Sequence, residues 1–356
     1  MAGRVMSARV RSIAWIEKSF LPGRILVGLG VTLRRWLPTV IRSITLVAVV
    51  VGIALTIRRA WQDESLRALD WSRVGWPWLL AATAAYGLGT LPGWRYWHAV
   101  LLRFGQRPTP RESLRAFMMG QLGKYLPGKA MVVAIRAATV RSDRTLVAPA
   151  AAAVFVETLT LMAVGATVAA SYLVFWAWQE PAKLSARLPL LGLAVVLMLV
   201  AGVPTYPPLF RRLVRFIRLR KADPSIEQAV AGLDGGLLAR GWGWNLLAWG
   251  CWGASLFCVL SALPGADPSW IDLPLITACV ALAMVAGFLS LLPGGIGVRE
   301  LVILTLLAPF GSAQAIVAAV LLRLCWLLSE LVIATILYLW GNGPAPASET
   351  REGSLD

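Results

Sequence analysis

The chain has 356 residues, 58% of them hydrophobic and 15% charged, with a mean hydropathy of +0.70. That composition excludes a water-soluble domain folded round a single core and points to a polytopic membrane protein. Lys plus Arg number 34 against 18 Asp plus Glu, but the excess sits in the N-terminal segment and the loops, so it reads as positive-inside topology and contact with anionic headgroups, not as nucleic-acid binding.

Residues 1–39 carry Arg4, Arg9, Arg11, Lys18, Arg24, Arg34 and Arg35 against Glu17, with apolar residues interleaved. This is expected to be a basic interfacial segment that stays in the cytoplasm. The first long apolar run starts near Ile44, so no cleavable signal peptide is expected and the first membrane helix should itself act as the targeting signal. A first span is predicted over Val40 to Ile57. A second covers Gly75 to Leu102, broken or kinked near Leu91-Pro92-Gly93, with Arg95 and His98 placed to snorkel to the interface.

Arg103, Arg107, Arg111 and Arg115 bring the chain back to the basic side. Glu112 to Val140 then consists of two apolar halves, each too short to cross about 30 Å of hydrocarbon. Joined by Leu126-Pro127-Gly128, they predict a re-entrant hairpin. A third span, Leu146 to Trp176, holds Glu157 in its interior.

A fourth span, Leu188 to Val203, leads to Arg211, Arg212, Arg215, Arg218, Arg220 and Lys221, the densest basic cluster in the sequence, which assigns this side to the cytoplasm. Asp223 to Arg240 predicts a short soluble helix. A fifth span runs from Gly241 to Leu263, and the loop after it carries Asp267 and Asp272 without a base, so it is placed outside. The run Leu273 to Leu292, a break at Pro293-Gly294-Gly295 and the run Val298 to Ala308 predict a second hairpin, entered from the outside. A last span, Ala313 to Trp340, precedes a polar tail expected to be disordered.

The expected fold class is an all-α polytopic membrane protein with about six spanning helices and a pair of re-entrant helical hairpins in an inverted repeat. Repeat 1 covers about residues 40–176 and repeat 2 about 188–340, with a basic cytoplasmic insert at 207–240, a tail from 341 to 356 and both termini in the cytoplasm. Each repeat crosses an odd number of times, so the second copy must be inverted relative to the first. Tryptophans at the ends of apolar runs, among them Trp76, Trp78, Trp178, Trp244 and Trp270, predict an interfacial belt.

Charge inside such runs needs a partner or water, because an Arg or Glu at the bilayer centre costs at least about 2.5–3.5 kcal/mol. The candidates are Arg95, Lys124, Lys129, Arg136, Glu157, Arg299, Glu300, Arg323 and Glu330. Arg323 and Glu330 are seven residues apart, two helical turns, so they share a face but cannot touch and should each look across the bundle for a partner. The functional reading is a polar cavity between the hairpins, with cations for a lipid phosphate. The plainer reading is a set of structural pairs stapling hairpins to spans.

No catalytic constellation is evident, neither G-x-S-x-G nor a P-loop. Asp267 and Asp272 are ordinary loop acids rather than a glycosyltransferase base. Cys251, Cys258, Cys279 and Cys325 lie inside apolar runs without metal-ligand spacing, and the single histidine cannot build a metal site alone. No cofactor or metal is expected.

The segments Gly123-Lys124-Tyr125-Leu126-Pro127-Gly128-Lys129 with Arg136, and Leu292-Pro293-Gly294-Gly295-Ile296-Gly297-Val298-Arg299-Glu300, resemble the lysylphosphatidylglycerol synthase transmembrane-region family. The resemblance covers about residues 40–340, and Glu157 and Arg323 also match charged positions of the family. Two places depart from its pattern. Ala130 to Val133 stand where many members carry Gly-Glu, and Thr158 stands where an Arg often follows the acid. The cytosolic aminoacyl-transferase domain of fused members has no counterpart here. The resemblance implies translocation of a lipid or polyprenyl-linked molecule across the cytoplasmic membrane, not synthesis of lysylphosphatidylglycerol, and with the inverted repeat the expected function is movement of an anionic phospholipid or polyprenyl-linked lipid by alternating access.

On this reading Lys129, Arg136 and Arg299 bind the headgroup, Glu157, Glu300 and Glu330 balance its charge or carry a proton, Lys124 and Arg323 complete the substrate-binding set, and Pro127, Gly128, Pro293, Gly294 and Gly295 form the hairpin breaks. The alternative is a membrane-embedded enzyme or accessory subunit of polyprenyl-linked glycosyl transfer. Expected partners are membrane lipids, with a lipid-modifying enzyme, a glycosyltransferase or a second copy of the chain left open. No nucleic acid is expected.

Overall fold

The computed structural model describes residues 70–125, 130–179, 184–206, 208–212, 224–290 and 297–341. The chain divides into two compact units, Met1–Val51 and Gly52–Asp356, and every described residue belongs to the second. The basic segment 1–39, the first predicted span, the tail, Lys129 and the breaks at 126–128 and 293–295 lie outside the described residues, as do Arg215, Arg218, Arg220 and Lys221.

The described residues are helical, and no strand occurs among them. An isolated bridge between Ser142 and Thr145 closes a turn. In chain order the helices are α1 (Trp76–Arg103), α2 (Pro110–Gln121), α3 (Ala130–Val140), α4 (Val147–Gln179), α5 (Leu184–Gly202), α6 (Pro224–Ala231), α7 (Gly235–Ser261), α8 (Leu273–Leu289), α9 (Val298–Leu306) and α10 (Ser312–Gly341). A 3-10 turn, Leu122–Tyr125, continues α2 toward the first break.

Local chemistry sets several boundaries. Thr109 and Glu112 form a reciprocal capping box at the start of α2: Glu112 N donates to Thr109 Oγ1 at 3.2 Å and Thr109 N donates to the Glu112 carboxylate at 2.7 Å. Asp234 accepts from Leu237 N at 2.7 Å and starts α7. The Leu237 amide, with Arg103 3.0 Å away, holds this carboxyl below the ordinary carboxylate range. The predicted soluble helix 223–240 is therefore two pieces. Helix α6 ends at Ala231, where Arg211 donates to the carbonyls of Ala231 and Leu233 at 3.2 and 2.5 Å, and Gly235 to Arg240 belong to α7.

Helix α1 runs through Pro92, so of the break or kink predicted there no break forms. The Thr90 hydroxyl bonds the Gly87 carbonyl at 2.6 Å in the turn just before the proline, and Pro92 itself is buried against the bundle.

Length and composition single out Val147–Gln179, Gly235–Ser261, Trp270–Leu289 and Ser312–Leu337 as able to cross a membrane, among the described residues. The first arm of the second hairpin is thus long enough to cross alone: with the turn before it, it has 20 residues, or roughly 30 Å at 1.5 Å per residue. The first hairpin differs, since α2 and α3 have 12 and 11 residues and reach only about 18 Å each. Large apolar side chains point outward along the bundle, including Leu80, Leu88, Phe155, Val196, Leu247 and Leu301. Trp76, Trp78, Trp178 and Trp270 are exposed near helix ends, and Trp244 is exposed farther inside α7. A surface of this kind needs lipid around it.

The packing has an internal exchange pattern. Helices α1 and α7 make the most extensive pair. Exchanging α1 with α7, α2 with α8, α3 with α9 and α4 with α10 turns each remaining contact among these eight into another that is also present: α1–α2 into α7–α8, α1–α4 into α7–α10, α2–α3 into α8–α9, α3–α4 into α9–α10, α1–α10 into α7–α4, and α2–α10 into α8–α4. Gly75 lies against Ala262, Gly89 against Trp252 and Gly241 against Tyr96. The start of α1 therefore meets the end of α7, and these two equivalent helices run antiparallel. Two apolar cores result, one centred on Trp249, Leu256, Ile276 and Leu282, the other on Tyr96, Trp97, Phe117 and Leu233.

Candidate functional site

The charges inside the bundle fall into separate constellations, one sealed and one open. In the first, α3 presents Arg136 to Glu157 on α4, with Nη1 2.7 Å from Oε2 and side-chain exposures of 4% and 2%. The guanidinium lies 3.9 Å from the Phe117 ring centroid and 5.7 Å from that of Trp97, so apolar π-faces cover the pair. Thr158 adds a bond to Glu157 Oε2 at 3.2 Å. Helix α2 approaches so closely that a Cβ at Gly120 would collide with the Arg136 side chain. Arg136, expected to bind a headgroup, and Glu157, expected to balance its charge, are thus neutralised by each other and shut off from lipid and water alike.

The second constellation joins both hairpins to α1 and α10. Lys124, at the end of the turn after α2, is paired with Glu330 of α10. Tyr86 of α1 donates its hydroxyl to the same carboxylate oxygen and accepts from Lys124 Nζ at 3.1 Å. The Tyr86 ring is held flat against Trp326, with centroids 4.4 Å apart, and Trp326 in turn donates to Ser255 of α7 at 3.1 Å. Glu330 is therefore buried and held by Tyr86 of α1 and by Lys124 of the turn after α2. Tyr125 stands in range of the same carboxylate.

On the other side, α9 carries Arg299 and Glu300. Glu300 accepts from Gly297 N at 2.7 Å, closing the first turn of α9 where Gly297 takes φ 88°. Its other oxygen lies 2.7 Å from Arg323 Nη2. That contact is off the hydrogen-bonding direction, so among the described residues Arg323 Nη2 has charge contact but no hydrogen-bond acceptor. Both side chains keep about a third of their surface exposed, 30% for Arg323 and 33% for Glu300. Arg323 and Glu330 thus find separate partners across the bundle.

Arg299 forms no ion pair among the described residues, and its Nε has no acceptor there. Its side chain fills the notch opposite Gly287, where an added Cβ would lie 2.6 Å from Cγ and Nε. It interacts electrostatically with Arg323, Glu300, Tyr86 and Tyr125, and Lys124 with Arg299 and Arg323. Lys124, Arg299 and Arg323 therefore face Glu300 and Glu330 with one positive charge in excess. A region of low dielectric with unmatched positive charge attracts an anion.

Of the predicted site residues, the structure gathers Lys124, Arg299, Glu300, Arg323 and Glu330, and sets Arg136 and Glu157 apart. Sequence reasoning missed Tyr86, Trp326 and the notches at Gly120 and Gly287. The usable signal was a Gly in the first arm of each hairpin matched to an Arg in the second. Arg95 is exposed with its guanidinium 5.5 Å from the Trp94 ring, and His98 meets Ser113 at 2.9 Å. The four cysteines are free thiols, and no metal-binding group of side chains occurs among the described residues.

An all-helical bundle with lipid-facing apolar sides, paired internal packing and buried charge at two hairpins defines a polytopic membrane protein. A family model for the lysylphosphatidylglycerol synthase TM region matches residues 40–334, and the chain belongs to that family. A search of curated proteins returns no match to the chain.

Proposed function

We propose that the protein is a lipid translocator of the cell membrane that moves an anionic phospholipid or polyprenyl-linked lipid between leaflets by alternating access. The observation that carries this reading is the cluster of Lys124, Tyr86, Glu330, Arg299, Glu300 and Arg323, which joins both hairpins and has a surplus cation. A phosphate supplies the missing negative charge. The carboxylates keep the site close to neutral, so the headgroup can leave as well as bind.

Antiparallel packing of α1 with α7 and the exchange pattern of the helices support an inverted repeat, the architecture in which rocking of one repeat against the other opens a site to alternate sides. The sealed pair Arg136–Glu157 and the half-open pair Glu300–Arg323 bring together equivalent elements with opposite polarity. In an exchanged conformation the first would open and the second close. No bond is made or broken in this account, which separates it from the enzyme alternative.

The test is a headgroup-accessibility assay in phosphatidylcholine proteoliposomes containing fluorescent phosphatidylglycerol. Arg299→Ala and Glu300→Ala proteins that insert and fold as wild type should lose lipid movement. Full activity in both variants overturns the assignment of the cluster.

A further inference from the structure

The two hairpins hold their arginines in the same way. Gly120 of α2 is notched against Arg136 of α3, where an added Cβ would lie 3.0 Å from Nε, and Gly287 of α8 is notched against Arg299 of α9, where it would lie 2.6 Å from Nε. In both, Nε is buried without an acceptor among the described residues. Because α2 exchanges with α8 and α3 with α9, Arg136 and Arg299 are counterparts.

We propose that the singly charged phosphodiester of a lipid sits before Arg299 where the Glu157 carboxylate sits before Arg136, so that the group carried is a phosphodiester and neither a phosphomonoester nor a pyrophosphate. The proposal rests on the translocator reading and deepens it by naming the group bound and its seat.

The helix facing each arginine carries the difference. Glu157 lies ten residues past Val147, which opens α4, and Arg323 lies eleven past Ser312, which opens α10. Helices α4 and α10 also exchange, so Arg323 stands at the level of Glu157. Arg136 therefore looks across at a carboxylate 2.7 Å away, whereas Arg299 looks across at a second guanidinium, with which it interacts electrostatically. A cation has replaced the anion at the same level of the repeat.

Like charges facing each other in a low dielectric are costly, and an anion between them removes that cost. The acids nearby are committed elsewhere. Glu300 is held by Gly297 N and by Arg323, and Glu330 by Lys124 and Tyr86. Two guanidiniums against the one carboxylate of Glu300 leave room for a single negative charge.

Arg299 Nε and Arg323 Nη2 both lack a hydrogen-bond acceptor among the described residues, and a pair of oxyanion oxygens is what such donors take. A phosphodiester resembles a carboxylate in bringing one charge on two free oxygens. A phosphomonoester brings about −1.5 to −2 at neutral pH, and the excess would find no partner. Arg323 is partly exposed whereas its counterpart Glu157 is sealed, so the seat can receive a headgroup from outside the bundle.

The experiment titrates the full-length protein in detergent with phosphatidylglycerol, phosphatidic acid and phosphatidylcholine, and counts bound lipid by native mass spectrometry. One phosphatidylglycerol per chain is expected, held about tenfold or more tighter than phosphatidylcholine, whose choline cancels the phosphate charge, and no more weakly than phosphatidic acid. Arg323→Glu sets a carboxylate of the chain's own opposite Arg299, as in the other half, and should weaken phosphatidylglycerol about tenfold or more. Arg299→Gln removes the other guanidinium and should do the same, so failure of one variant to fold leaves the other to decide. A polyprenyl phosphosugar, also a singly charged diester, serves as competitor, and whichever lipid displaces the other at lower concentration identifies the source of the diester.

Equal binding of phosphatidylglycerol and phosphatidylcholine, phosphatidic acid about tenfold tighter than phosphatidylglycerol, or wild-type affinity in a folded variant overturns the proposal. Selective binding with no lipid movement in proteoliposomes would sink the translocator reading and leave this seat standing. Movement without that selectivity would do the reverse.

Discussion

Arg136 and Glu157 meet at 2.7 Å with almost no exposure, whereas Arg323 and Glu300, on the corresponding elements of the other half, meet at the same distance with about a third of each side chain exposed. The polarity is reversed: the hairpin supplies the Arg in one half and the Glu in the other.

The sealed pair should behave as a staple. Arg136→Ala or Glu157→Ala leaves an uncompensated buried charge and should cost roughly 3–5 kcal/mol. The double variant Arg136→Met with Glu157→Met should recover most of that loss. Thermal unfolding in nanodiscs measures the cycle, and strictly additive losses would contradict the pairing.

For the half-open pair the reverse holds. Glu300→Gln keeps an acceptor for Gly297 N while removing the charge, and Arg323→Ala removes the partner. Each should change stability by no more than about 1 kcal/mol, yet slow lipid movement about tenfold or more. A large drop in melting temperature with an unchanged transport rate would assign this pair to structure instead.

Lys124 and Glu330 are separated by 206 residues in sequence and join the first hairpin to the last helix. Lys124→Glu or Glu330→Lys alone should each lower lipid movement about tenfold, and the swapped double variant should regain most of it. If the double variant is no better than the poorer single one, the charges do not act as a pair.

The notch opposite Arg299 gives a fourth test. Gly287→Ala should displace Arg299 and reduce lipid movement strongly while the protein still folds. Gly243 and Gly250 on α7 have open space around them, and there Gly→Ala should add up to about 1 kcal/mol of helix stability without affecting movement. Equal behaviour of the three variants would remove Arg299 from the site.

The helices were legible because hydrophobic runs in a membrane chain are long and bounded by Arg, Trp, Pro and Gly, and the bounds of α4 and α10 follow the predicted spans within a turn. The charged residues stood out for the same reason. Their sorting did not, because hydropathy is blind to the partner. Nothing local distinguishes Arg136, buried under Phe117, from Arg299, which forms no ion pair among the described residues. Tyr86 was missed because one Tyr in an apolar run carries no signal until Glu330 is folded against it. The split between α6 and α7 was missed because a single Asp cap decides it.

The most direct test is the rate at which fluorescent phosphatidylglycerol in the inner leaflet of phosphatidylcholine proteoliposomes becomes open to an external quencher, with the wild-type protein alone and no donor or partner present. The account predicts a rate at least about tenfold above protein-free vesicles, lost in Arg299→Ala. A wild-type rate equal to that of empty vesicles, rising only when a lipid-modifying enzyme is added, would contradict it.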